Sequence, residues 1–480
     1  MVINHIKMAY FIGIGGIGMS AIARYFNTIG IAVSGYDKTP TSLTNALTKE
    51  GIDIHFEDDV NLIDTSFFKL PKEEVLVVIT PAIPKNHKEL NFFEDNNYEL
   101  KKRAEVLGMI TESTYTAAVA GTHGKTTTST ILTHILKSSG YDITAFLGGI
   151  AKNYNNNFIA GTDISAEYPN QPVRFKMDVL APTVVEADEY DRSFLTLHPD
   201  VAIVTSVDAD HLDIYGDDAQ LKESFKLFTS LIKSRGSLVT KLGLKYQVAH
   251  ANDVKVYYYD LEKQTDFFAY DIKIEDGKYI FNINSCIEHI NDICFGLPGL
   301  HNVENAIAAI AAAQIMGVLP LDIKKALKTF TGVNRRFDYR INTSNFVYID
   351  DYAHHPEEIK ACINSIKHLY PNKKITGIFQ PHLYSRTRDF AEGFSSSLSL
   401  LDEVILMDIY PARELPIEGV TSAMLLNNIT CKQKQLLNAN KILEYIQFNR
   451  PEVLVTLGAG DIDQLVAPIE KLFSNVATNE

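Results

Sequence analysis

Residues 116–136 read TAAVAGTHGKTTTSTILTHIL. Small apolar residues, a turn containing Gly121 and Gly124, and an apolar-periodic run spell strand, loop and helix in succession. The backbone amides of such a loop, with a helix N-terminus behind them, can wrap phosphate oxygens. In that frame Lys125 neutralises the β- and γ-phosphates of a nucleotide and the Thr126 hydroxyl binds Mg2+. The longer phosphate-loop pattern has a glycine five residues before Gly124. This chain has Val119 there, so the match is to the shorter G-x-x-G-K-T form.

Working outward, two apolar runs end in acids: VVEADEYD (184–191) and DADHLDIY (208–215). In an open parallel sheet the carboxyl ends of strands are where ligands bind. Either cluster alone reads equally well as a solvated loop or a helix cap. Beside a phosphate loop they favour Mg2+, which shares itself between carboxylate and phosphate oxygens. Glu186, last in its strand, is the first choice of ligand and His211 the second.

Nearer the N-terminus, FIGIGGIGMS (11–20) places Gly13, Gly15 and Gly18 at the G-x-G-x-x-G spacing, with Asp37 downstream in VSGYD. This is the first strand-to-helix turn of a dinucleotide-binding sheet, with an acid placed for a ribose hydroxyl. Taken alone it reads as a nicotinamide-dependent dehydrogenase. Further on, GLHNVEN (299–305) precedes an alanine-rich helix, where Asn302 has a capping reading. Arg335 and Arg336 are spaced to reach an anion. DDYAHHP (350–356) and QPHLYSRTRD (380–389) each follow an apolar strand, again at a ligand edge.

Composition bounds the class. The 480 residues, 46% hydrophobic and 22% charged, are those of a globular chain of roughly three domains. No apolar run approaches a membrane span and no export signal is visible, so a cytoplasmic protein without membrane insertion is expected. The four cysteines include no C-x-x-C pair and read as reduced thiols. A net charge of −14 disfavours nucleic acid and anionic lipid as partners. Strand and helix signals alternate throughout, giving an α/β reading with divisions at 1–113, 114–332 and 333–480; 237–295 is richer in strands.

Taken in order, GIGGIGMS, GTHGKTTT, VVEADEYDRSF, DADHLDIYG, GLHNVENA, RRFD, DDYAHHPEEI and QPHLYSRTRDF resemble the Mur ligase family over essentially the whole chain. The resemblance implies an N-terminal Rossmann-like domain for a UDP-sugar, a central P-loop-type ATPase domain, and a C-terminal Rossmann-like domain that receives an amino acid. GIGGIGM, EADEYD and DDYAHHP point to the alanine-adding branch, which implies UDP-N-acetylmuramate and L-alanine as substrates and ATP with Mg2+ as cofactors. Carried over by position, Gly121, Thr122, His123, Gly124, Lys125, Thr126 and Thr127 would cradle ATP. His301, Asn302 and Asn305 would hold adenine, and Asp351 the ribose. Thr126, Glu186 and His211 would serve the metal. Gly15, Gly16, Ile17, Gly18 and Asp37 would hold the UDP-sugar. Arg336, Tyr352, His354, His382 and Arg386 would face the reacting groups, with Lys125, Glu186, His211, Arg336, His354 and Arg386 catalytic. A monomer or weak homodimer is expected.

Two departures stand out. Leu383 occupies a position where many relatives carry arginine, and the segment from Lys152 to Met177 is long. Lys226, fifteen residues after His211, matches the spacing of a lysine that other branches modify; here it reads as a surface helix lysine. The rival readings are a ligase that recycles a tripeptide onto the same UDP-sugar, a regulatory P-loop NTPase and the dehydrogenase. The NTPase would hydrolyse ATP without any UDP-sugar, and the dehydrogenase leaves the GKTTT loop and the acidic strand ends unexplained.

Overall fold

The computed structural model describes every residue except 1, 2, 4, 81, 82, 162–180, 209–214, 216, 246, 276, 413 and 475–480. His211 and most of the long 152–177 segment therefore lie outside the described residues.

Three sheets follow one another along the chain. The first holds β1 (Met8–Ile12), β2 (Ala32–Tyr36), β3 (Asp53–His55), β4 (Val75–Ile79) and β5 (Leu100–Lys102), in the order β3-β2-β1-β4-β5, all parallel. The helix α1 (Ile17–Thr28) follows β1 directly through the glycine turn. A second helix, α2 (Arg103–Glu112), leads out of β5 toward the next sheet.

The second sheet has ten strands. They are β6 (Thr116–Ala120), β7 (Thr144–Ala151), β8 (Asn156–Ile159), β9 (Thr183–Glu186), β10 (Val201–Val204), β11 (Ser237–Lys241), β12 (Lys255–Asp260), β13 (Phe267–Glu275), β14 (Lys278–Ser285) and β15 (Ile290–Phe295). Their order is β15-β14-β13-β12-β11-β10-β6-β9-β7-β8. The strand-rich stretch read from the sequence is thus one flank of this sheet. β6 lies between β9 and β10, parallel to both, so the loop after β6 begins at the same sheet edge at which β9 and β10 end. Every residue of β6 is buried, which suits its alanines and valine. The following helix, α3 (Lys125–Ser138), is buried from Thr126 to Leu136. Two of its hydroxyls bond back along the helix: Thr130 donates to the Thr126 carbonyl at 2.6 Å and Ser129 to the same carbonyl at 3.2 Å, whereas the buried Thr128 and Thr133 hydroxyls have no hydrogen-bond partner among the described residues.

The third sheet runs β16-β17-β21-β18-β19-β20, from β16 (Asp338–Asn342) and β17 (Val347–Asp351) through β18 (Ile375–Phe379), β19 (Glu403–Leu406) and β20 (Gln433–Leu436) to β21 (Val453–Leu457). Only the β16–β17 edge pair is antiparallel. The architecture is α/β in three domains, but compactness divides the chain in two. One unit is Met1–Lys273, Ile280–Phe295 and Glu304–Phe330, with the first sheet and most of the second; the other is Ile274–Tyr279, Gly296–Val303 and Thr331–Glu480.

Within the first unit the two sheets are tied by buried polar contacts. Arg24 on α1 grips Glu50 through two nitrogens, at 2.7 and 2.9 Å, and donates to Asn157 on β8 at 2.8 Å. Asn157 in turn donates to the Ile17 carbonyl at 2.6 Å.

Candidate functional site

The loop between β6 and α3 is braced from β10. Thr122 pairs with Ser206 through side chains at 3.0 Å, the His123 amide donates to the Ser206 hydroxyl at 2.8 Å, and Thr205 donates to the His123 carbonyl at 2.5 Å. Gly124 caps α3 in the left-handed region, φ +81°, where a β-carbon would also stand 2.5 Å from the Asn305 amide oxygen. Asn305, expected at the nucleotide from the sequence, thus lies against the loop. Ser206 and Thr205 were not singled out in the sequence; their position just past β10, opposite the loop, is the signal that would have found them.

Lys125 points into this loop. Its ammonium donates to the Gly121 carbonyl at 2.6 Å and reaches the two Glu189 oxygens at 2.9 and 2.6 Å. Burial alone would lower the lysine's proton affinity, but Glu189, Asp188 and Glu186 more than offset this and hold it above its ordinary value. The backbone of Glu189 is anchored by Tyr215, whose hydroxyl donates to its carbonyl at 2.5 Å. EADE is therefore a differentiated cluster: Glu189 faces the lysine, while Glu186 at the end of β9 accepts the Gly148 amide at 3.1 Å. A β-carbon on Gly148 would fall 2.2 Å from that carboxylate.

The Thr126 hydroxyl and the Glu186 carboxylate are hard oxygen donors of the kind Mg2+ prefers. His211, the second expected metal residue, is outside the described residues. Lys226 lies on the helix Asp218–Ser230 and pairs with Glu223 at 3.5 Å, in keeping with a surface lysine.

In the first sheet the glycine turn is folded onto Asp37, whose carboxylate accepts the Gly15 amide at 2.7 Å. Asp37 therefore orders the turn through its backbone. Gly16 caps α1 without a side-chain partner, and the first turn of α1 contains no acid.

The second unit gathers the C-terminal motifs. Arg335 is turned inward: it reaches Asp350 at 3.2 Å, the Gly458 carbonyl at 2.7 Å and Asp463 at 3.7 Å. Arg336 instead lies 3.6 Å from Glu358, and both guanidinium groups sit over the Tyr352 ring, at 5.1 and 5.2 Å. The arginine pair is thus split, and Arg336 remains the substrate-facing candidate. The Glu358 carboxylate accepts the amides of His354 and His355 at 3.0 and 3.3 Å, a capping box that the order HHPEE encodes. His354 lies 5.3 Å from Tyr352 and 6.3 Å from His382, ring to ring, and His382 stacks on Tyr410. Arg386 is buried on the short helix Tyr384–Asp389. Leu383 takes φ +68° ahead of that helix, whose Ser385 is bound through amide and hydroxyl by Glu414. His301 is held beside Ser365 at 3.4 Å, and desolvation pushes its imidazole down to about 4, keeping it neutral. Asn302 donates to the Pro298 carbonyl at 2.5 Å from inside the helix Leu300–Ile315, so it closes the helix start without being its cap residue.

Asp351 is enclosed. It accepts the Phe337 amide at 2.7 Å and the Ala353 amide at 2.8 Å, bracing the backbone on either side of Arg336 and Tyr352. Burial pushes its carboxyl up to about 6, against the pull of Arg336 and both amides. The folded chain thus retains this proton to higher pH than an unfolded aspartate. Stability from the group is full below about pH 4 and is lost as pH rises through about 6, by about 3 kcal/mol. Asp351→Asn should flatten that part of the profile in urea unfolding. An unchanged slope between pH 4 and 6 would refute the assignment.

Models of three domains match the chain in sequence: the Mur ligase family catalytic domain over residues 9–115, the Mur ligase middle domain over 119–313, and the Mur ligase glutamate ligase domain over 335–460. The chain belongs to the Mur ligase family. It is 52% identical over 474 residues to the UDP-N-acetylmuramate–L-alanine ligase of Flavobacterium psychrophilum, covering 98% of this chain and 99% of that one. It is 49% identical over 467 residues to the enzyme of the same name from Porphyromonas gingivalis, covering 97% and 98%. Among solved structures, the UDP-N-acetylmuramate-alanine ligase of Thermotoga maritima superposes with a TM-score of 0.78 at 25% identity, over 98% of this chain and 99% of that chain. A murein peptide ligase from Psychrobacter arcticus shares the fold, with a TM-score of 0.70 at 22% identity over 98% and 99%. Mur ligases are ATP-dependent. The loop around Lys125 lies in the middle domain, and the glycine turn and the arginine–histidine cluster lie in the domains before and after it.

Proposed function

We propose that this chain joins L-alanine to the lactyl carboxylate of UDP-N-acetylmuramate, consuming ATP and releasing ADP and phosphate, to make a peptidoglycan precursor. The observation that carries this reading is the end-to-end match, at about half identity, to enzymes of that name. The loop built around Lys125, the Glu186 carboxylate and the glycine turn supports it. In the same reading, residues 1–113 hold the UDP-sugar, 114–332 hold ATP, and 333–480 receive the amino acid.

A carboxylate is a poor acyl donor because its leaving group would be oxide. Its oxygen attacks the γ-phosphorus of ATP and the bond to ADP breaks, giving an acyl phosphate. The amine of L-alanine then attacks the carbonyl, the C–O bond to phosphate breaks, and the nitrogen gives up a proton. The first step brings two anions together, so positive charge must be in place beforehand. Mg2+, held by Thr126 and Glu186 with His211 as a further ligand, would neutralise charge on the transferring phosphoryl group. Lys125 gives up Glu189 for phosphate oxygens, and the amides of Gly124 to Thr127 at the start of the helix orient them. His301, Asn302 and Asn305 hold the base, and Asp351 keeps Arg336 and Tyr352 in position. Arg336, His354, His382 and Arg386 face the carboxylates and the acyl phosphate. Exclusion of water would protect that intermediate from hydrolysis.

The test is phosphate release with ATP, Mg2+ and UDP-N-acetylmuramate, varying L-alanine, L-serine, glycine and a muramyl tripeptide. Turnover with L-alanine and none with tripeptide is expected. The reverse pattern would make the chain a recycling ligase.

A further inference from the structure

Arg103 opens α2, and its side chain lies across the first turn of α1. A β-carbon on Gly18 would stand 2.7 Å from one Arg103 nitrogen and 2.9 Å from its Cδ, so the arginine occupies the space that the glycine leaves. Its side-chain partner among the described residues is Asp188, two residues beyond Glu186, at 3.5 Å. The frame around it is tight. A β-carbon on Gly108 of α2 would meet the Thr196 carbonyl at 2.6 Å, and the Thr196 hydroxyl donates to the Ala104 carbonyl at 2.7 Å.

The electrostatics of this placement are adverse. Arg103 is the first residue of one helix and rests on the first turn of another, and helix N-termini carry partial positive charge that disfavours a cation. The 3.5 Å contact to Asp188 is too long for a strong charged hydrogen bond. Arg24, on α1 itself, shows what a structural arginine looks like here: short bonds to Glu50 and Asn157. Even with Glu105 in the first turn of its own helix, Arg103 has among the described residues one long ion pair, to Asp188, in place of the short bonds of Arg24.

We propose that Arg103 is a substrate-contacting residue of the sugar-nucleotide site. It donates to a phosphate oxygen of the nucleoside diphosphate seated on the Gly15–Gly18 turn, and relaxes its contact with Asp188 to do so. This rests on the reading of that turn as the UDP-sugar seat. The diphosphate then relieves a charge conflict that the two helix starts create. Asp188 supplies a weaker partner when no nucleotide is present.

Calorimetry with UDP-N-acetylmuramate, UDP and uridine, at two salt concentrations, tests this on the full chain. Arg103→Ala should weaken UDP and the UDP-sugar by about 30-fold, the worth of a charged hydrogen bond, and leave uridine nearly unaffected. Arg103→Lys, which keeps the charge but loses the fork, should recover most of the loss. Gly18→Ala should weaken UDP by displacing the guanidinium while ADP affinity stays unchanged. Asp188→Asn separates contact from scaffolding, because it removes the Arg103 ion pair but keeps the cation. UDP affinity should then hold or rise.

Either of two results would overturn the proposal: Arg103→Ala binding UDP within about twofold of wild type, or Asp188→Asn weakening UDP as much as Arg103→Ala. Failure of the wild-type chain to bind UDP-N-acetylmuramate at all would instead overturn the functional reading.

Discussion

Lys125→Ala is expected to abolish ligation, lowering kcat by about a thousandfold or more, while UDP-N-acetylmuramate still binds. The ammonium is held between the Gly121 carbonyl and the Glu189 carboxylate at the start of α3, a placement that no neutral side chain reproduces. Truncation also removes the Lys125 ammonium from beside Glu189, which is 1% exposed, and taking one partner from a buried ion pair destabilises the fold. The double variant Lys125→Ala, Glu189→Gln removes that penalty and separates folding from chemistry. It should unfold near the wild-type denaturant concentration and remain inactive. Turnover near the wild-type rate in either variant would sink the phosphate-loop assignment.

The second large effect comes from the end of β9. Glu186→Gln keeps the side chain's shape and its acceptor for the Gly148 amide, but removes the charge. It should lower kcat by about a hundredfold to a thousandfold and raise the Mg2+ concentration needed for half-maximal rate. Gly148→Ala reaches the same carboxylate from the other side. Its new methyl would stand 2.2 Å from a Glu186 oxygen, so the carboxylate must swing away. A loss of about ten- to a hundredfold, with the same change in Mg2+ dependence, is expected. A Gly148→Ala enzyme with ordinary Mg2+ dependence would show that Glu186 is no metal ligand.

Much of this was legible from local pattern. TAAVAGTHGKTTT encodes strand, turn and helix within a dozen residues, and the structure forms them in that register. The acids of VVEADEYD likewise fall at a strand end beside β6. What pattern could not give was direction. Arg335 and Arg336 are chemically equal in the sequence, yet a left-handed backbone at Arg335, φ +60°, sends it to Asp350 and leaves Arg336 facing Glu358. The resemblance implies Asp351 at the ribose, and no pattern in the sequence announces that its oxygens also hold two backbone amides. Arg103 was invisible because its neighbours, Gly18 and Asp188, are 85 residues away in each direction. Such contacts depend on how sheets stack, which a linear motif does not encode.

The pairing of Lys125 with Glu189 also bears on how the enzyme could be inhibited. Any ligand that uses the lysine through a phosphate mimic competes with a carboxylate supplied by the chain itself, so part of its attraction goes into separating a contact already made. An uncharged compound that leaves this pair intact and settles elsewhere on the loop faces no such rival. For this target, adding negative charge to an inhibitor should yield diminishing returns, and shape should matter more.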